Sequence, residues 1–154
     1  MAFQFLVGAI VSVIKIMIHA LVTVAAIGIA RVAALRYTAW PKLHLMGVMV
    51  TTASVLMLAH TLEVFVWALA YAIVGAAPAG SDILYFAFVN YTTLGYGDIT
   101  PVASWRLNGP MTAMNGILMF GWSTAVLFEV LRKTFDHLAS IAASGEPFSA
   151  ADPG

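Results

Sequence analysis

The chain has 154 residues, 62% of them hydrophobic and only 9% charged, with a formal net charge of zero. That balance excludes a soluble domain with an ordinary polar surface, and the lack of any basic or acidic block argues against nucleic acid as a partner. The absence of cysteine excludes disulfides and thiolate metal sites and leaves the redox compartment open.

Residues 3–30 form the first predicted element, an apolar run interrupted by Ser12, Lys15, His19 and Thr23. A helix needs about 20 apolar residues to cross about 30 Å of hydrocarbon, so this run is expected to span a membrane. It has no basic leader and is too long for a cleaved signal, so it reads as a retained anchor. Arg31, Arg36, Trp40, Pro41 and Lys42 follow as a short basic turn, with Pro41 disfavouring helix at Trp40. A second spanning helix is expected over residues 43–74, with Glu63 as its only formal charge, and residues 75–80 form a glycine- and proline-rich loop. Ser81 and Asp82 then offer an N-cap for a short helix from Ile83 to Tyr91. At 1.5 Å per residue that helix is about 13 Å long, too short to cross, and is expected to be re-entrant. A connector containing Pro101 leads to a last spanning helix over residues 107–131, closed by Arg132 and Lys133 and followed by a tail.

The expected fold is therefore an all-α membrane protein: three transmembrane helices plus a re-entrant short helix and the loop after it. Its parts are residues 1–42, an N-terminal helix with its basic turn; 43–133, two further spanning helices with the short helix and loop between them; and 134–154, a short tail. Placing Arg31, Arg36, Lys42, Arg132 and Lys133 on the cytoplasmic side leaves only Arg106 outside and Lys15 within the membrane. The N-terminus then lies outside, the tail inside, and the loop after the short helix opens outward. Membrane lipid is the expected surrounding.

Residues 92–98 read Thr-Thr-Leu-Gly-Tyr-Gly-Asp. Irregular backbone at membrane depth is tolerated only where protein buries it or it lines a water-filled path. Gly95 and Gly97 permit positive φ and let successive carbonyls turn the same way. Carbonyls of Thr93, Leu94, Gly95 and Tyr96, with the Thr93 hydroxyl, can then replace the water around a dehydrated cation. The C-terminal end of the short helix, partly negative, favours a cation there as well.

This run resembles the selectivity filter of potassium channels. Pro101, Trp105 and Arg106 are similar to the run that follows the filter in two-helix bacterial potassium channels, although with one residue fewer. The resemblance covers about residues 83–131. It implies a homotetrameric, potassium-selective pore in a plasma membrane such as a bacterial inner membrane. Potassium would bind at Thr93, Leu94, Gly95, Tyr96 and Gly97, with no organic cofactor and no enzymatic activity. It also implies filter support from Thr92, Asp98 and Tyr85, a gating hinge at Gly116, and a second small position at Gly121. The chain departs from the family in carrying Tyr85-Phe86 where many members have a tryptophan pair, and Val89 where some carry glutamate. It has no arginine ladder of the voltage-sensing kind, and the first helix has no counterpart in the two-helix channels.

A second set of residues is ionisable and intramembrane, which is expensive without partners. Lys15 and His19 share a face of the first helix, and His60 and Glu63 a face of the second. Matched depth on antiparallel helices predicts a Lys15–Glu63 pair that docks the first helix on the pore domain. Lys15 snorkelling to the surface and Glu63 facing a neighbouring subunit are the competing readings. His19 and His60 are candidate pH sensors or packing histidines. Two other functions fit parts of the pattern: a poorly selective cation channel, and a membrane haem- or metal-binding electron-transfer protein using His19 and His60, with Glu63 as a further metal ligand.

Overall fold

The computed structural model describes residues 2–34 and 40–144. The described residues form helices α1 (Ala2–Ala34), α2 (Pro41–Val74), α3 (Ile83–Tyr91) and α4 (Asn108–Ser144), with a 3-10 turn at Ala103–Trp105 and no strand. Three of these helices are long and apolar enough to cross a membrane.

Local chemistry sets the boundaries. Pro41 occupies the first turn of α2, where its missing N–H is harmless, and Trp40 before it is pushed out of helical geometry at φ −124°, ψ 72°. Gly75 ends α2 in the left-handed conformation, with φ 64°. The Asp82 carboxylate accepts from the Tyr85 backbone N–H at 3.0 Å and starts α3.

Three boundaries differ from the sequence expectation. The basic turn is shorter, because α1 runs on to Ala34 and α2 begins at Pro41; Arg36 lies outside the described residues. The last helix does not stop at residue 131 but continues to Ser144. Arg132 and Lys133 pair with Glu129, at 2.9 and 2.8 Å, one turn back on the same helix. The basic pair thus fits inside the helix rather than ending it, and the alanines that follow are good helix formers. Residues 145–154 of the expected tail lie outside the described residues.

Burial is arranged as in a lipid-solvated protein. Phe3, Leu6, Ile10, Val13, Met17, Leu21 and Val24 are exposed along one stripe of α1, while Lys15 and His19 are buried. The polar face of α1 therefore points inward. α1 runs parallel to α4 and antiparallel to α2. Gln4 Oε1 accepts from the Leu107 N–H at 3.4 Å, and the Asn115 amide donates to Ser12 Oγ at 2.7 Å. Gly8 faces Met111 so closely that a Cβ at position 8 would collide with the thioether. The first helix thus docks on α4 as well as on α2.

Two apolar cores fill the bundle. One surrounds α3: Val64, Trp67 and Tyr71 of α2, Phe86, Ala87 and Tyr91 of α3, and Met111 of α4. The other lies toward the opposite end, where Ala30, Val48, Leu56, Val126 and Val130 meet. The first fixes the short helix, and through it the loop that follows.

Candidate functional site

Helix α3 is held by what it buries. Phe86, Ala87, Val89 and Tyr91 face inward, and the Phe86 ring lies 5.0 Å from that of Tyr71. Its last carbonyls are used by the chain that follows: Thr92 N–H donates to Phe88 O at 2.9 Å, Thr93 N–H to Asn90 O at 3.1 Å, and Leu94 N–H to Val89 O at 3.0 Å. These bonds tie the start of the loop rigidly to the helix end.

Beyond them the backbone alternates. Thr93, Gly95 and Gly97 have φ of 60°, 60° and 79°, and Thr93 is the one non-glycine with positive φ among the described residues. A β-branched residue in that region is strained by an amount on the order of 1–3 kcal/mol. Alternation between left- and right-handed residues is what allows neighbouring carbonyls to face one way. Residues 92–98 are all exposed, with Leu94 at 53% and Tyr96 at 69%, so the loop is turned away from the chain's own core.

The far end of the loop is clamped to the start of the helix. Tyr85 Oη donates to Asp98 Oδ2 at 2.7 Å, and this bond to a carboxylate raises the phenol above its ordinary range. The return strand of chain is anchored where Val102 N–H donates to Ala76 O at 2.9 Å.

Gly116 of α4 meets this assembly directly, since a Cβ there would overlap the Tyr91 carbonyl oxygen. Close packing is therefore sufficient reason for glycine at 116. Gly121 is exposed, with nothing within 4 Å of where its Cβ would be.

The ionisable residues of α1 and α2 come together in a buried cluster. Lys15 Nζ lies 3.6 Å from Glu63 Oε2, with both side chains fully buried. That separation makes an ion pair without a hydrogen bond, and the ammonium is also 4.2 Å from the centre of the Tyr91 ring. His19 Nδ1 is 2.7 Å from Glu63 Oε1, and Tyr91 Oη donates to Glu63 Oε2 at 2.6 Å. The two histidine rings are 5.4 Å apart, and Ser123 Oγ of α4 lies 2.9 Å from His60 Nε2 and 3.4 Å from His19 Nε2.

Hydrogen-bond capacity assigns the protons. A carboxylate only accepts, so His19 donates through Nδ1 to Glu63. Tyr91 gives its one proton to Glu63, so its oxygen accepts from His60 Nδ1, 2.9 Å away. His60 Nε2 is then free to accept from Ser123. The cluster draws on α1, α2, α3 and α4 together.

Tyr91 and Ser123 belong to this cluster although the sequence reading did not single them out. Both look like ordinary helix residues, and a hydroxyl's partner depends on which helices meet. Tyr91 did carry one signal: it is the polar-tipped residue that ends the short helix, directly before the loop.

Comparison with known protein families gives a match over residues 59–133 to the model described as ion channel. The matched stretch runs from within α2 through α3 and the loop into α4, and leaves α1 outside. No curated protein and no solved structure matches the chain. The match points to transport rather than catalysis, and the apolar helices to a multi-pass membrane protein. Over residues 59–133, just under half of its length, the chain is similar to the ion channel family, which supports reading it as a subunit of an ion-conducting membrane protein.

Proposed function

We propose that the chain is the pore subunit of a potassium-selective channel, with residues 92–98 as its filter. The observation that carries this reading is the alternating φ at Thr93, Gly95 and Gly97, in an exposed loop at the end of a helix too short to span. Carbonyls of Thr93, Leu94, Gly95 and Tyr96, with Gly97 permitting the last turn, replace the hydration shell of potassium. Thr92, Asp98 and Tyr85 brace that backbone.

One such loop supplies part of a ring, so the working unit is a homotetramer, consistent with the outward-facing loop side chains. The orientation that fits the cations has the filter and N-terminus outside and the C-terminus cytoplasmic, in a plasma membrane such as a bacterial inner membrane. A haem or metal at His19, His60 and Glu63 fits less well. Their ligand atoms do lie within 4.8 Å of one another. The Lys15 ammonium already faces Glu63, however, and a second buried cation there would be repelled.

Planar-bilayer recordings under potassium and sodium gradients test the proposal. A reversal potential that follows potassium is expected; equal permeability to the two ions would overturn it.

A further inference from the structure

We propose that Tyr91 and Glu63 are positioning residues for the filter, and that α1 acts on ion selectivity through them by way of Lys15 and His19. The inference rests on the channel reading above and assigns a role to the helix outside the matched domain.

Tyr91 is the last residue of α3, with Thr92 and the strained Thr93 next in the chain. It is fixed at both ends. Its side chain is 1% exposed, with the hydroxyl 2.6 Å from Glu63 Oε2 and 2.9 Å from His60 Nδ1. Its carbonyl abuts Gly116, where a side chain would have no room. With both ends held, the start of the filter inherits whatever position the Tyr91 hydroxyl is given.

Glu63 supplies that position and takes it from α1. The carboxylate is fully buried; its Oε2 meets Tyr91 Oη at 2.6 Å and Lys15 Nζ at 3.6 Å, with His60 Nδ1 3.9 Å away, and its Oε1 meets His19 Nδ1 at 2.7 Å. Lys15 further touches the Tyr91 ring face. A displacement of α1 therefore reaches the filter through two successive polar contacts, between groups too buried for water to substitute. A carbonyl cage discriminates between cations by ligand position and number, and functional geometry of this kind tolerates about 0.5 Å of error. A neutral or absent partner at Glu63 would relax Tyr91 by that order.

The test uses the full chain reconstituted in planar bilayers, with potassium-to-sodium permeability ratios read from reversal potentials and oligomers checked by cross-linking. Tyr91→Phe, which removes one hydrogen bond to a charged group, is expected to lower the ratio about tenfold, and Lys15→Met to lower it by a smaller factor, both with oligomers retained. The double variant should be no less selective than Tyr91→Phe alone, because both act along one path, and Lys15→Arg should restore the ratio. If Lys15→Met does not assemble, His19→Gln takes its place with the same expectation. Assembled variants with the wild-type ratio, or losses that multiply in the double variant, would overturn the inference. A wild-type ratio near one would instead overturn the potassium reading, and this inference with it.

Discussion

Tyr85 Oη donates to Asp98 Oδ2 across 2.7 Å, joining the first turn of α3 to the end of the loop that follows it. The bond closes the helix and loop into one ring of structure, so the loop cannot lift from the helix without breaking it. Tyr85→Phe should leave the helices intact and shorten open-state lifetime in single-channel records. The alkaline limb tests the same bond. The phenol is raised from its ordinary 10.0 by Asp98, so its contribution is complete below that pH and is lost as pH rises through the raised value. Wild-type open lifetime should therefore fall in strongly alkaline solution, and that fall should be missing in Tyr85→Phe.

Gly97 has φ 79° and nothing within 4 Å of where a Cβ would stand. Space is available within the chain, so inside the protomer any effect of Gly97→Ala comes from the backbone. Holding alanine in the left-handed region costs about 1–2 kcal/mol. The expected result is assembled protein with potassium current abolished, measured as flux from loaded liposomes. Normal flux would show that the positive φ is dispensable.

Gly116 and Gly121 should part company. At 116 a methyl group meets the Tyr91 carbonyl, and overpacking of that sort costs about 1–3 kcal/mol. Gly116→Ala should lower the melting temperature and disturb conduction together. Gly121→Ala meets no atom of its own chain and gains about 1 kcal/mol of helix propensity, so it should leave the protomer as stable or more so. If Gly116→Ala changes neither stability nor open probability, both the packing and the hinge roles fail.

Lys15 and Glu63 should show strong non-additivity. Glu63→Gln leaves a buried ammonium with no counter-charge, at about 3–5 kcal/mol. Lys15→Met is expected to be milder, because Glu63 keeps its hydrogen bonds to His19 and Tyr91. The double variant should recover part of the Glu63→Gln loss in a thermal-denaturation cycle. Strictly additive losses would show that the two charges do not stabilise one another.

The sequence by itself determined the elements whose causes are local. Apolar run length gave three crossings, Asp82 gave the start of α3, and Gly95 and Gly97 announced a backbone that only glycine adopts freely. Equal depth on antiparallel helices pointed to a Lys15–Glu63 pair, because helical rise is a constant, but left snorkelling and a neighbouring-subunit contact open. Only tertiary structure decided the rest. The end of α4 was missed because Glu129 neutralises Arg132 and Lys133 within the helix. Thr93 was not foreseen at positive φ, since the conformation is imposed by its neighbours against the preference of a β-branched side chain. The joining of His19, His60, Tyr91 and Ser123 around Glu63 depends on how four helices rotate about their axes, and that rotation is set by packing across the bundle rather than by spacing along any one strand of sequence.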